Sequence, residues 1–149
     1  MSNTHDTSPA GGESAAADAI TASIVAGQDR PQFLPRVFGA RLVAIGEGLV
    51  YRFMSALCPE YGGGFWDFVD LSNGGFYLRL RSAKSFAVQV EGNGFVGALS
   101  ADAASIVATL FALNYLVWRG DGHLDEAFMA LRSYAGQHAE GPAIFAAID

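Results

Sequence analysis

The sequence predicts a single α+β domain in which three to four helices flank a small antiparallel β-meander of about four strands. Three observations carry this prediction. Two pairs of short apolar runs are each joined through an Asn-Gly turn, segments on either side repeat their apolar residues at helical spacing, and nothing recurs at a solenoid period.

Residues 1–30 are rich in Ala, Gly, Ser, Thr and Asp and contain no aromatic residue, so a disordered tail is expected there and a folded domain over 31–149. Pro31 and Pro35 bracket Phe33 and Leu34, the first anchors to a core. From Glu47 to Cys58, Leu49, Val50, Phe53, Met54 and Leu57 share one helical face, and Pro59 with the Gly62, Gly63, Gly64 run ends that helix. The runs Phe65 to Leu71 and Phe76 to Leu80 read as one hairpin around Asn73 and Gly74. Phe86 to Glu91 and Phe95 to Leu99 read as a second around Asn93 and Gly94, because Gly takes left-handed backbone angles freely and Asn tolerates them. Ser100 is placed to cap a helix from Ala101 to about Trp118, with Asp102 in its positive first turn. That helix is apolar around most of its circumference except for a strip at Ser105, Thr109 and Ala112, so it belongs in the centre. Leu124, Phe128, Leu131 and Ala135 mark another helix, and Pro142 starts a short last one.

Half of the residues are hydrophobic, 16% are charged and the mean hydropathy is +0.25, which raises the question of a membrane. The longest uncharged run lies between Asp102 and Arg119, and at about 1.5 Å per residue it falls short of a hydrocarbon core of roughly 30 Å. No membrane association is expected. His5 and Asp6 stand where a secretory signal carries Lys or Arg, so the expected location is the cytoplasm, and Cys58, the only cysteine, permits no intrachain disulfide. The net charge is −6, of which residues 31–149 carry −3. A broad DNA-binding surface needs more bases and a DNA mimic more acids, so DNA binding is expected to be weak or absent.

The chemical motifs give little. Gly92 to Gly97 spells G-x-G-x-x-G, but the string opens a strand rather than a phosphate-binding helix. Asp67 and Asp70 point to opposite faces of a strand and do not pair. His123 and His138 lack partners at a ligand spacing and are read as solvated; His5 lies in the tail. Cys58, on an apolar helix, reads as a small hydrophobe. No nucleophile, base and orienting group assemble, so no enzyme, metal or cofactor is expected.

The first hairpin is more informative. Closing Leu71 against Phe76 sets Asp70 opposite Tyr77, Phe68 opposite Arg79 and Trp66 opposite Arg81, all on one face, and leaves Phe65, Val69, Leu71, Phe76, Leu78 and Leu80, with Asp67, for the core. A face of Trp66, Phe68, Asp70, Tyr77, Arg79 and Arg81 has the chemistry of a protein-binding hot spot, or of a platform for single-stranded bases; the alternative is that a helix covers it as a second core layer.

Several segments resemble the ArdB/KlcA antirestriction family: Leu49, Val50, Tyr51, Met54, Leu57 and Cys58, then Tyr61 and Trp66; Leu71 to Tyr77 (LSNGGFY); Gly92 to Phe95 (GNGF); Leu99 to Ala104 (LSADAA); and Val107 to Leu113 (VATLFAL). They follow the family's order over roughly residues 31–115. The resemblance implies relief of type I restriction of incoming DNA by a protein carried on plasmids or other mobile elements. It implies no enzymatic activity; the weak charge of the folded part agrees with an inhibitor that does not mimic DNA, and the expected mode is binding that acts on the type I restriction-modification complex, directly or through its translocation step. The competing expectation is a nucleic-acid-binding accessory protein of a mobile element.

Overall fold

The computed structural model describes residues 19–149. The chain runs β1 (Ala22–Ile24), α1 (Arg30–Phe38), α2 (Val43–Leu57), β2 (Trp66–Leu71), β3 (Phe76–Leu80), β4 (Ser85–Val90), β5 (Phe95–Ser100), α3 (Ala101–Trp118), α4 (Asp125–Gln137) and α5 (Gly141–Ile148). The class is α+β. The strands do not form one meander: β1-β2-β3 make one antiparallel sheet and β4-β5 a separate hairpin.

Two elements depart from the sequence reading at the N-terminal end. The predicted tail reached residue 30, yet Ala22–Ile24 adds an edge strand to β2, with Val25 N–H donating to Phe68 O and Ser72 N–H to Thr21 O. Gln137 on α4 clamps Ile20 through both its backbone groups. Backbone hydrogen bonding to a sheet edge supplies the order that the missing apolar stripe does not. The domain therefore starts before residue 30, and the expected disorder of residues 1–18 lies outside the described residues. The second departure is α1, where Pro31 occupies the first turn, a position that needs no N–H, and Phe33, Leu34 and Phe38 are buried.

The β2-β3 turn sets the register. Leu71 pairs with Gly75, not Phe76: Leu71 N–H donates to Gly75 O at 2.9 Å and Gly74 N–H to Leu71 O at 3.1 Å, leaving a three-residue loop that ends on Gly74 at φ +91°. The two glycines serve different needs. Gly74 supplies the left-handed angle, whereas a Cβ on Gly75 would lie 2.9 Å from Ala130 Cβ and 3.1 Å from the Leu131 nitrogen of α4. Asn73 fastens this turn, accepting from Gly75 N–H and donating to Ala130 O. Gly94, at φ +75°, closes the β4-β5 turn, and Asn93 repeats the device by donating to Ala147 O of α5.

Helices close both sides of the three-stranded sheet. Phe33 and Phe38 of α1 pack on Phe68 and Phe76, and Tyr51 of α2 packs on Trp66. On the opposite side Tyr134 of α4 stacks on Tyr77 at 5.9 Å. Helix α3, capped by Ser100 through Ala103 N–H, lies along the outer edge of β3. There the fully buried Ser105 and Thr109 accept the Leu80 and Leu78 N–H groups at 2.9 and 3.3 Å. The polar strip on an otherwise apolar helix thus satisfies a strand edge that would expose unpaired donors. This helix is the one described element long and apolar enough to cross a membrane, and most of it is buried inside the domain.

Candidate partner-binding site

The one-residue register shift redistributes the predicted face. Phe68 stands opposite Leu78, Trp66 opposite Leu80, and Asp70 opposite Phe76, while Tyr77 and Arg79 face Val69 and Asp67 on the other side. The six predicted residues therefore share no face. Trp66, Phe68 and Tyr77 are buried beneath helices, Asp70 holds Arg36 of α1 at 3.1 Å, and only the arginines of the set reach solvent on the second side. An exposed hot spot of Trp66, Phe68 and Tyr77 is excluded by this packing.

The same shift creates a different surface. Phe65, predicted for the core, stands just before β2 and directly across from Arg81, whose N–H donates to Phe65 O at 2.9 Å. Its ring is 52% exposed, with the Arg81 guanidinium 4.5 Å from its centroid and that of Arg30 at 4.9 Å; Arg30 also lies 4.0 Å over the buried Phe68 ring. Such cation–π contacts hold the guanidiniums against the rings and leave their edges for a partner. Arg30 further donates to Trp66 O at 3.0 Å.

Asp67 anchors this arrangement. It is 2% exposed, and its Oδ1 accepts from Arg81 Nη2 at 2.7 Å while Oδ2 accepts from Arg81 Nε at 3.3 Å and from Arg79 Nη2 at 3.4 Å. The hydrogen bond from Arg81 holds the carboxyl below the usual carboxylate range against the opposing effect of burial, with Arg79 adding to it. One buried acid thus positions two outward-reaching guanidiniums.

Beside Phe65 a cup of about 520 Å³ opens between α2 and the glycine run, walled by Tyr51, Tyr61 and Trp66 with Arg30 at one side. Trp66 Nε1–H donates to Tyr61 Oη at 3.0 Å, and Tyr51 Oη–H donates to Glu47 at 2.6 Å. Burial, then the Glu47 carboxylate, pushes the Tyr51 phenol well above its ordinary value, so it stays a donor.

On the far side of Asp67, Asp102 accepts from Tyr77 Oη at 2.6 Å and from His138 Nε2 at 2.7 Å, while His138 Nδ1 accepts from Glu140 N–H. Ser100 donates its hydroxyl to Glu140. His138 is therefore not solvated as its spacing suggested, because α4 carries it onto the first turn of α3. Both ring nitrogens are engaged, and the arrangement joins α3, α4 and β3 without aiming a nucleophile at solvent. His123 is exposed, as its spacing suggested, with Nε2 within 3.2 Å of Phe38 O. Cys58 is fully buried, and burial pushes its thiol up to about 11. Among the described residues no group of His, Cys, Asp and Glu is arranged to hold a metal.

Residues 59–149 match the antirestriction protein family, and the antirestriction protein KlcA of Escherichia coli is 47% identical over 135 residues, which cover 87% of this chain and 95% of KlcA. The chain belongs to the antirestriction protein family. The putative antirestriction protein YubI of Escherichia coli strain K12 is 36% identical over 129 residues, covering 81% of this chain and 90% of YubI. A solved structure from work on KlcA and ArdB superimposes with a TM-score of 0.82 at 47% identity, covering 87% of this chain and 95% of its own. That fold was described as novel, with antirestriction activity against type I DNA restriction systems in vivo but not in vitro.

Against this family background, sequence reading missed Arg30, Phe65 and the cup. Arg30 was assigned to the tail. Phe65, expected in the core with Val69 and Leu71, is exposed just before β2, and closing the hairpin on Gly75 rather than Phe76 is what sets Arg81 across from it; the signal for that register is the second glycine of Gly74-Gly75.

Proposed function

We propose that the chain relieves type I restriction as a non-enzymatic binding protein, and that its contact surface is the Phe65 ring flanked by Arg30 and Arg81. The observation that carries the reading is that exposed aromatic ring, held between guanidiniums that a buried carboxylate and a backbone carbonyl keep in place. A pre-ordered aromatic and arginine pair is what concentrates binding energy at protein interfaces. The charge of −3 over residues 31–149 supports neither imitation of DNA nor broad wrapping of it.

The target is the restriction complex or its translocation step in the cytoplasm, where incoming DNA is attacked. KlcA and ArdB act in vivo but not in vitro, which favours a mechanism requiring a cellular component beyond the purified complex. The test is the plating of unmodified phage on cells with and without a type I system, with the chain expressed. Wild type should raise plating only in the restricting cells. Phe65→Ala should keep its melting temperature within about 3 °C, as expected for a change at a half-exposed ring, and lose at least about tenfold of the protection. Full protection by a stable Phe65→Ala, Arg30→Gln double variant would remove this surface from the mechanism.

A further inference from the structure

The cup beside Phe65 holds side-chain hydrogen-bond donors that meet no acceptor among the described residues. Tyr61 Oη accepts from Trp66 Nε1–H, and its own hydrogen meets no acceptor among the described residues. Arg30 spends one N–H on Trp66 O, leaving most of its five donors, and no carboxylate pairs with it among the described residues. Ser55 adds a hydroxyl at the wall. Trp66 O already accepts from Arg30, and Glu47 already accepts from Tyr51. A ligand that satisfies this set is anionic, acceptor-rich and small enough to sit between a guanidinium and a phenol.

We infer that the cup takes the carboxylate of an aspartate or glutamate side chain from an acidic segment of a partner protein, with Arg30 as its fork and the Tyr61 hydroxyl as second donor. The inference rests on the surface named above and specifies what it recognises. A carboxylate matches the planar geometry of a guanidinium and accepts two parallel N–H bonds. A protein segment fits the surroundings, because a side chain on Gly62 or Gly63 would meet nothing within 4 Å, so a partner backbone has room to approach the rim beside the Phe65 ring. A nucleic-acid backbone fits less well. Its affinity comes from many phosphates neutralised in a row, and this chain carries only nine Lys and Arg, five of which already pair with carboxylates.

The test titrates the full-length, isotope-labelled protein with four probes while following the Trp66 indole N–H and the amides of residues 62–64. The probes are a short capped peptide of alternating Asp and Gly, the same peptide with Asn for Asp, sodium acetate, and a short DNA duplex. The Asp peptide should give saturable shifts confined to the cup, the Asn peptide none, and acetate only weak shifts at the same carboxylate concentration. Arg30→Gln should weaken the Asp peptide by about tenfold, as for loss of a charge-assisted fork. Tyr61→Phe should weaken it severalfold, while Arg119→Gln should bind like wild type. The inference is overturned if the Asp and Asn peptides shift the cup equally, if acetate matches the Asp peptide per carboxylate, or if neither peptide binds. It is also overturned if the duplex shifts the same resonances at lower concentration with a steep dependence on salt. Melting curves for Arg30→Gln and Tyr61→Phe guard against misfolding, and if one variant unfolds the other still decides. Loss of phage protection in a folded Arg30→Gln variant without any peptide binding would leave the surface standing and refute only its ligand. Retained protection with intact peptide binding in wild type would do the reverse.

Discussion

Replacing Asp67 with Asn tests how much of the candidate surface depends on one buried charge. The amide keeps the shape of the carboxylate but removes the charge that two guanidiniums share, and it turns an NH₂ group toward at least one of their donors. Breaking a buried ion pair by removing one partner costs about 3–5 kcal/mol, but here both arginines reach solvent, Arg81 with 64% of its side chain exposed, and can rehydrate. The expected destabilisation at neutral pH is therefore about 2 kcal/mol. Its sign with pH is fixed by the depressed carboxyl. The wild-type advantage is complete above the ordinary carboxylate range and is lost as the pH falls through the lower native value, so the gap between wild type and D67N must close on acidification. Urea unfolding of both proteins across a pH series down to about 3 measures this directly. A gap below about 0.5 kcal/mol at neutral pH, or one that widens in acid, would refute the assignment of Asp67 as the charged anchor.

Other consequences follow from the fold. Ser105→Ala combined with Thr109→Val leaves the buried Leu80 and Leu78 N–H groups without acceptors, so stability should fall by about 2–4 kcal/mol and amide exchange at those two positions should accelerate; unchanged exchange would show that α3 does not seal the edge. A chain beginning at Asp29 loses β1 and the Gln137 clamp and should melt roughly 5 °C below one beginning at Ala19, as measured by circular dichroism. Gly74→Val forces a branched side chain to φ +91° and should cost about 1–3 kcal/mol in chemical denaturation.

What was legible in the sequence was local. Helical spacing at Leu49, Val50, Met54 and Leu57, the Ser100 cap and the Asn-Gly turns are each decided within a few residues, and those elements appear where their patterns lie. What was not legible depended on contacts between distant segments. Nothing within residues 20–25 announces a strand, because its order comes from β2 and from Gln137, 117 residues away from Ile20. The burial of His138 likewise needed the fold that brings α4 to Asp102. The site suffered most, since a single-residue choice at the turn exchanges the two faces of a strand, and Gly75 reveals its purpose only when α4 is seen against it.

The motifs on which the family resemblance was read are turn and core residues rather than the exposed Phe65 and its guanidiniums. In LSNGGFY, Asn73 holds Ala130 O, Gly74 and Gly75 shape and admit the turn, and Phe76 and Tyr77 are buried. In GNGF, Asn93 holds Ala147 O. In this chain these motifs lock two hairpins onto the last two helices, and the β2-β3 register they hold sets Phe65 opposite Arg81. Arg30 reaches the same ring from a helix outside residues 59–149. A relative can therefore keep every hairpin motif and still differ at the surface if its counterparts of Arg30 and Phe65 differ. If the proposed surface makes the contact, Phe65→Ala should reduce phage protection in restricting cells far more than Asn93→Ala does at equal folded protein, and equal losses would place the contact elsewhere.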